Sequence, residues 1–401
     1  MITAHLNKSK RTSFTVLYPL DCFEYGGVTT VVQLYVRTVK KMGGACVLLG
    51  YQGDLTTPED YFQDAHIITI PRTNGTSFIE RCTGTIDYMR ALRQIYKQYP
   101  ISLVHFSTAW STLYTLMYQK TWHRKRIMTF HGALYLEEQS ARQRPAKISE
   151  RLGDMARWLI QLIGFVASNR IIVLSEYSLQ LIRKCFHISR RHIDVIPGYI
   201  YDIPPQPIKR PHMKNKTGLQ LLNIGRAEPR KGITLLLETA AYLRSISTPF
   251  KLIIASPVRY YQHFDVLEIY ESLRLSTSVH LFHKVNQKES RELLQKSDLF
   301  IMPSLDLETF GLTALESLAM GIPVIATPTG ALPEILMHIT PHLLSKKTDS
   351  ISLAKRIIWY QKLTQYEKKL LRARCQNVVR NFFSEKHWQP KLMQLYETNN
   401  S

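Results

Sequence analysis

Along the chain, short runs of β-branched and apolar residues alternate with longer stretches in which apolar positions return every three to four residues. These are the periods of buried strands and amphipathic helices, and their repeated alternation marks parallel α/β units. The runs predict strands at 13–20, 45–51, 65–71, 101–107, 125–132, 169–175 and 193–198 in the first half. In the second half they predict strands at 219–225, 250–256, 278–285, 298–304 and 322–328. Between the halves, IPPQPIKRPHMKNKTG (203–218) has four prolines, five basic residues and hardly any apolar periodicity, which is the composition of a linker. The expected architecture is therefore α/β, with two doubly wound, Rossmann-like parallel sheets. The first domain is 1–202 and the second 219–375, and a C-terminal helical segment, 376–401, is expected to pack back on the first domain. Ligands of open parallel sheets sit beyond the carboxyl ends of the strands, so two facing sheets place a ligand in the cleft between them.

Composition narrows the setting. A chain of 401 residues with 45% hydrophobic content can bury two large cores. Five cysteines, odd in number and without a C-x-x-C pair, argue against a disulfide framework or a zinc site and for a reducing compartment. The opening MITAHLNKSKRTSFTVLYPL runs into a strand pattern without the apolar stretch of a signal peptide, so a cytoplasmic location is expected. A net charge of +21 implies attraction to polyanions, but the excess divides evenly between the halves. That evenness disfavours a compact nucleic-acid module. The longest apolar run, WLIQLIGFVA (158–167), is about half of what a spanning helix needs. Two readings stay open for it: a buried helix, or an interfacial helix at the inner face of an anionic membrane. The second draws on Arg151 and Arg157 before it and Lys120, Arg124, Lys125 and Arg126 upstream.

Chemistry concentrates in two segments of the second half. In PSLDLETFGLTALESLAMGIPVIATPTGALPEI (303–335) a strand gives way to a loop with Glu308 and Gly311, followed by the helix LTALESLAM carrying Glu316. Backbone N–H groups of Phe310, Gly311 and Leu312 would point at an anion ahead of that helix, and carboxylates are good acceptors for sugar hydroxyls. Two glutamates on such a unit are, taken alone, more often solvated. The context changes this: GRAEPRKG (225–232) follows the first strand of the same domain, and Arg226 and Lys231 flank a tight loop at a helix start. Two cations there suit a diphosphate without a metal.

GRAEPRKG, then ETFGLTALE, then GIPVIATPTGALPEI resembles the retaining glycosyltransferases of family 4, with the GT-B fold, over almost the whole chain. The resemblance implies donor-diphosphate binding by Arg226 and Lys231, contact of Glu308 with the transferred sugar, and a hold of Glu316 on the ribose. It also implies backbone contacts from Phe310, Gly311 and Leu312. In the first half Gly26 and Gly27 match the family's glycine loop near the diphosphate, and His131, followed by Gly132, matches a histidine beside the donor sugar. Catalytic roles thus fall on His131 and Glu308. Ser175 ends a strand and reads as structural. The chain departs from the family at Gly198-Tyr199, where Asn-Gly is usual, and at Pro341-His342, where a glycine is usual. No D-x-D-type motif sits near the diphosphate loop, so no metal or other cofactor is expected. The expected partners are a nucleotide sugar, a saccharide or lipid-linked acceptor and an anionic membrane surface, with nucleic acid disfavoured. A sugar phosphorylase or nucleotide-sugar epimerase on the same scaffold, or a non-catalytic polyanion-binding protein, stays open at this level.

Overall fold

The computed structural model describes residues 14–398 except 25, 54, 56–57, 72–77, 143, 208–217, 257–265 and 284. Most of the predicted linker, 203–218, therefore lies outside the described residues. The first sheet is built from β1 (Thr15–Cys22), β2 (Ala45–Tyr51), β3 (His66–Ile70), β4 (Ile101–Phe106), β5 (Lys125–Phe130), β6 (Arg170–Val173) and β7 (Ile193–Val195). The second is built from β8 (Leu219–Ile224), β9 (Phe250–Ser256), β10 (Val279–His283), β11 (Leu299–Met302) and β12 (Val324–Ala326). All neighbouring strands are parallel, in the orders β3-β2-β1-β4-β5-β6-β7 and β10-β9-β8-β11-β12. Every predicted strand run overlaps one of these strands, and all but the first contain it whole; β1 runs on to Cys22, two residues past the predicted 13–20. Several runs end early, as at 298–304, where pairing stops at Met302 because the next residues leave the ladder to build a cleft loop.

The helices among the described residues of the first half are α1 (Gly27–Lys41), α2 (Pro58–Tyr61), α3 (Phe78–Gln98), α4 (Ala109–Leu116), α5 (Leu134–Ala141), α6 (Ile148–Ala167) and α7 (Glu176–Phe186). Those of the second half are α8 (Ile233–Ser245), α9 (Val266–Ser272), α10 (Gln287–Lys296), α11 (Leu312–Ala319), α12 (Leu332–Leu336), α13 (Ser350–Lys362), α14 (Gln365–Phe382) and α15 (Glu385–Thr398). Both faces of the first sheet are covered, as a parallel sheet requires. Val16, Tyr18 and Leu20 of β1 share a buried cluster with α1 and Tyr396 of α15, while Leu17, pointing the other way, joins Leu92, Phe165 and Ile182.

The chain end crosses between domains. Gln376 of α14 donates to the carbonyls of Ala319 and Pro204, at 2.9 Å each, so α14 stays with the second domain. At Phe383–Ser384 the backbone meets Ile200, and α15 then lies on the first sheet. The hydroxyl of Tyr396 is buried between Tyr18 Oη (2.9 Å) and His105 Nδ1 (2.8 Å). The apolar run 158–167 lies within α6, a longer helix. It is buried only along Gln161, Gly164, Phe165 and Ala167, while Leu159, Ile163 and Val166 face outward, so it is not a buried helix on all sides. No helix among the described residues is long and apolar enough to cross a membrane.

Candidate active site

Strand order reverses beside β1 in the first sheet and beside β8 in the second, and the crevices at these two points face one another. They enclose a cavity of about 510 Å³. Asp21, Ser107 and Thr108 line it from the β1/β4 side, and Asn223, Arg226, Met302 and Ser304 from the β8/β11 side. All ten residues singled out in the sequence border it: Gly26, Gly27, His131, Arg226, Lys231, Glu308, Phe310, Gly311, Leu312 and Glu316.

The loop after β11 aims Glu308. Leu307 is held in the left-handed region (φ 52), and its amide donates to Asp306 Oδ1 at 2.7 Å. A non-glycine residue in that region is strained and persists only where its surroundings fix it. Glu308 is buried, accepting from Lys231 Nζ at 2.7 Å and from Ser304 Oγ at 3.0 Å. Burial pushes its carboxyl up, but Lys231 and Arg230 outweigh that, so it lies below the usual carboxylate range and is ionised. Gly311 then takes a left-handed conformation (φ 91) and opens α11, whose first helical bond runs from Ala314 N to Gly311 O at 3.0 Å, with the amides of Leu312 and Thr313 ahead of it. The Phe310 ring is buried against Gly198 and Phe383, so its side chain has a packing role. Gly198, one of the departures from the family pattern, has a purpose here: a Cβ would press on Phe310 and Leu312. Glu316, one turn into α11, sits where burial pushes its carboxyl up to about 7, partly offset by Arg291.

The cations do not stand free. Besides the Lys231–Glu308 pair, Arg226 pairs with Glu228 at 2.8 Å, and Arg230 pairs with the same glutamate at 2.9 Å. Gly232 closes this loop at φ 69, and a Cβ there would collide with the Pro303 carbonyl, so the Arg226–Lys231 turn is seated directly on the β11–α11 loop that carries Glu308.

From the first domain, His131 follows β5. Burial lowers its imidazole to about 4, so it is neutral near pH 7, and its Nε2 is buried without a protein partner. Its carbonyl accepts from Thr309 Oγ1 at 2.7 Å, across the cleft. The turn behind it is pinned by Gln161 of α6, which donates to Gly132 O (2.8 Å) and accepts from Leu134 N (3.0 Å). Gly27 opens α1 and faces Leu312 across the cleft, its ideal Cβ position 3.7 Å from Leu312 Cδ1, while the space beside Gly26 is open.

Sequence reasoning missed three charged groups. Arg230 is 6% exposed and approaches Glu137 of α5 at 3.7 Å as well as Glu228. Burial works against the Arg230 charge, but Glu137 and Glu228 more than restore it. Arg230 was legible as the neighbour of Lys231 in GRAEPRKG, whereas Glu137 reaches the site from the other domain and carries no local signal. Among the described residues no group of three His, Cys, Asp or Glu could hold a metal ion. A neutral buried imidazole, an ionised carboxylate, three cations and a helix N-terminus around one cleft suit a diphosphate and a polyhydroxylated group together.

Two family models match adjacent parts of the chain: "Glycosyltransferase Family 4" over residues 25–200 and "Glycosyl transferases group 1" over residues 206–377. An alpha-monoglucosyldiacylglycerol synthase from Streptococcus pneumoniae is 25% identical over 317 residues, covering 76% of this chain and 68% of that protein. A D-inositol 3-phosphate glycosyltransferase from Arthrobacter sp. is 32% identical over 148 residues, covering 35% of each chain. The matched region thus spans little more than two thirds of the first relative and about a third of the second. Among solved structures, sucrose-phosphate synthase from Thermosynechococcus elongatus superposes with a TM-score of 0.76 at 16% identity, covering 96% of this chain and 98% of the other.

Proposed function

Because the chain belongs to the family 4, group 1 glycosyltransferases and has their GT-B fold, we propose that it moves a sugar from a nucleotide-sugar donor to a glycolipid or polysaccharide precursor, with retention of anomeric configuration and without a metal. One observation carries the reading: Lys231 and Glu308 are joined at 2.7 Å inside the cleft, so the group that would hold the departing diphosphate touches the group that would face the sugar.

Lys231 Nζ has three protons, of which one goes to Glu308 and the others are available to the diphosphate. Arg226, held by Glu228 at the cavity edge, adds the second cation, and the α11 N-terminus adds backbone donors. Counter-charge from protein groups supports independence from a metal. In the reaction the bond between the anomeric carbon and the phosphate oxygen breaks, and an acceptor oxygen bonds to that carbon on the same face. The acceptor proton passes to the departing phosphate. Ionised Glu308 offsets the positive charge that builds on the sugar ring, and preorganised charge of this kind costs no reorganisation at the moment of transfer. Neutral His131 offers a hydrogen bond from Nε2 to the sugar rather than a proton from an imidazolium. The lipid option for the acceptor is supported by the name of the Streptococcus relative, a synthase of a glucosyl-diacylglycerol.

The test is acceptor-dependent release of nucleoside diphosphate in the presence of a chelator, with the anomeric configuration of the product read by NMR. Sugar 1-phosphate formed from a glycoside and inorganic phosphate, with no release of nucleoside diphosphate, would show a phosphorylase, and an inverted product would remove the retaining assignment.

A further inference from the structure

On a helix packed against a globular domain, the outward side is ordinarily polar. On α6 it is the reverse. Ile148, Leu152, Met155, Leu159, Ile163 and Val166 are all exposed, from 37% for Ile163 to 79% for Ile148. At the angular step of an α-helix they fall within an arc of about 80°, in one stripe running the whole length of α6. The inner side is fully used: Phe165 packs in the core, Gln161 pins the His131–Gly132 turn, and Asp154 pairs with Arg142 at 2.6 Å. Among the described residues the outer stripe has no partner.

The stripe continues onto the neighbouring segment. Arg126 donates to Ala167 O at the end of α6 (2.5 Å) and to Trp122 O (2.8 Å), which fixes Trp122 beside that end. Trp122 is half exposed, with the Arg126 guanidinium 5.1 Å from its ring centre, and Met117 nearby in sequence is 60% exposed. Cations bracket the apolar surface. Lys147 and Arg151 are exposed at its N-terminal end, and Lys120, Arg124 and Lys125 are exposed around Trp122.

We propose that this face docks the protein on an anionic lipid bilayer, with α6 lying in the plane of the interface. Apolar side chains in a continuous stripe, a tryptophan at one end and basic groups at both ends are what an interfacial helix needs. Charge favours this occupant over a second copy of the chain, since a self-complementary contact would bring the basic flanks of two molecules, each at +21, against one another. The geometry also says why docking serves the cleft: the helix that meets the lipid is the one whose inner side holds the turn after His131. A lipid-borne saccharide lifted from the same bilayer would therefore enter the first-domain side of the cavity. That acceptor assignment rests on the transferase reading, whereas docking itself does not.

The experiment is flotation of the full chain with vesicles of phosphatidylcholine alone or with phosphatidylglycerol added, together with Trp122 emission on vesicle addition. The parent should float with the phosphatidylglycerol vesicles, less so in high salt, and its emission should shift to the blue, a shift lost in Trp122→Phe. Leu152→Glu/Leu159→Glu/Ile163→Glu should lower partitioning by more than about tenfold. It should leave the thermal melt and the affinity for nucleoside diphosphate unchanged, since these side chains are exposed and do not line the cavity. Should that variant melt early, Leu152→Ser/Leu159→Ser serves in its place, and Lys120→Glu/Arg124→Glu separately tests the electrostatic part. A parent that stays with the bottom fraction, or an apolar-face variant that floats as the parent does, overturns the proposal. So does a parent dimer that the variant splits without any flotation, which would assign the stripe to a second copy. Because flotation needs no turnover, its failure leaves the transferase reading standing, and loss of activity in floating protein would count against that reading alone.

Discussion

Glu308 and Glu316 lie on one strand–loop–helix unit in opposite electrostatic settings. Glu308 is held ionised by Lys231 and Arg230, whereas burial brings Glu316 close to protonation near neutrality. Glu308→Gln should therefore lower saturated turnover sharply while leaving calorimetric affinity for nucleoside diphosphate nearly intact, because the amide keeps the shape but not the charge facing the sugar. Parental turnover in that variant would remove Glu308 from the chemistry. Glu316 gives a pH signature. Its folded-state value of about 7 lies above the ordinary carboxylate value, so it contributes stability at low pH that is lost as pH rises through about 7. Ribose hydroxyls held at Glu316 would donate to the carboxylate and favour its ionised form. Nucleotide affinity should then rise as pH increases through about 7, with a proton released on binding below it, and Glu316→Gln should bind more weakly and lose this component. Identical pH profiles of affinity for parent and variant would place the ribose elsewhere. Both glutamates and both flanking cations were legible because each sits in a contiguous motif. Glu137 was not, because its partner Arg230 is reached only once the domains meet.

At the scale of elements, the strands were the most legible part, since a parallel strand buried on both faces reads as a continuous apolar run, as LFIM of β11 does. Their ends were less so, because the predicted run at 298–304 continues past the paired strand into Pro303 and Ser304, which border the cleft. The surface of α6 was the least legible: composition could not say which side of an apolar helix the domain would cover. On the proposed reading, the turn Arg226–Lys231 and the helix behind it would act as one anion-binding element. It is set by Gly232, and its two outer cations are each balanced by a carboxylate. Alanine at both Arg226 and Lys231 should cost about 3–6 kcal/mol of donor binding, the worth of two hydrogen bonds to a charged group. The double variant should still fold, although Glu308 would then sit buried without its main counter-charge, so a lowered melting temperature should accompany the loss. Calorimetry with nucleoside diphosphate decides this, and parental affinity in a folded double variant would remove the diphosphate assignment.

At the scale of the whole molecule, two kinds of tie join the domains, and they should behave differently. The first lies beside Thr309, which borders the cavity. Glu334 of α12 accepts from the amides of Glu176 (2.9 Å) and Tyr177 (2.6 Å) at the start of α7, and Thr309 O accepts from Ser175 (2.6 Å) and Ser178 (3.0 Å). The second is remote from the cleft, where α15 is locked into the first sheet through Tyr396, His105 and Tyr18. Glu334 is only half-buried, so solvent screening discounts its two bonds, and their loss should shift the balance between closed and open cleft by about 1–2 kcal/mol, or roughly five- to thirtyfold. Glu334→Ala should then enlarge the radius of gyration measured by small-angle scattering and lower turnover, with the melting temperature nearly unchanged because neither core loses a side chain. Nucleoside diphosphate should restore the compact value, since a ligand held by both domains favours closure. Tyr396→Phe should do the converse. It leaves His105 and Tyr18 short of a buried partner, at a cost of about 1–3 kcal/mol in stability, while the cleft ties hold the domains as before. If Glu334→Ala scatters as the parent does with parental turnover, the contact at α7 is an incidental surface cap rather than a latch on the cleft.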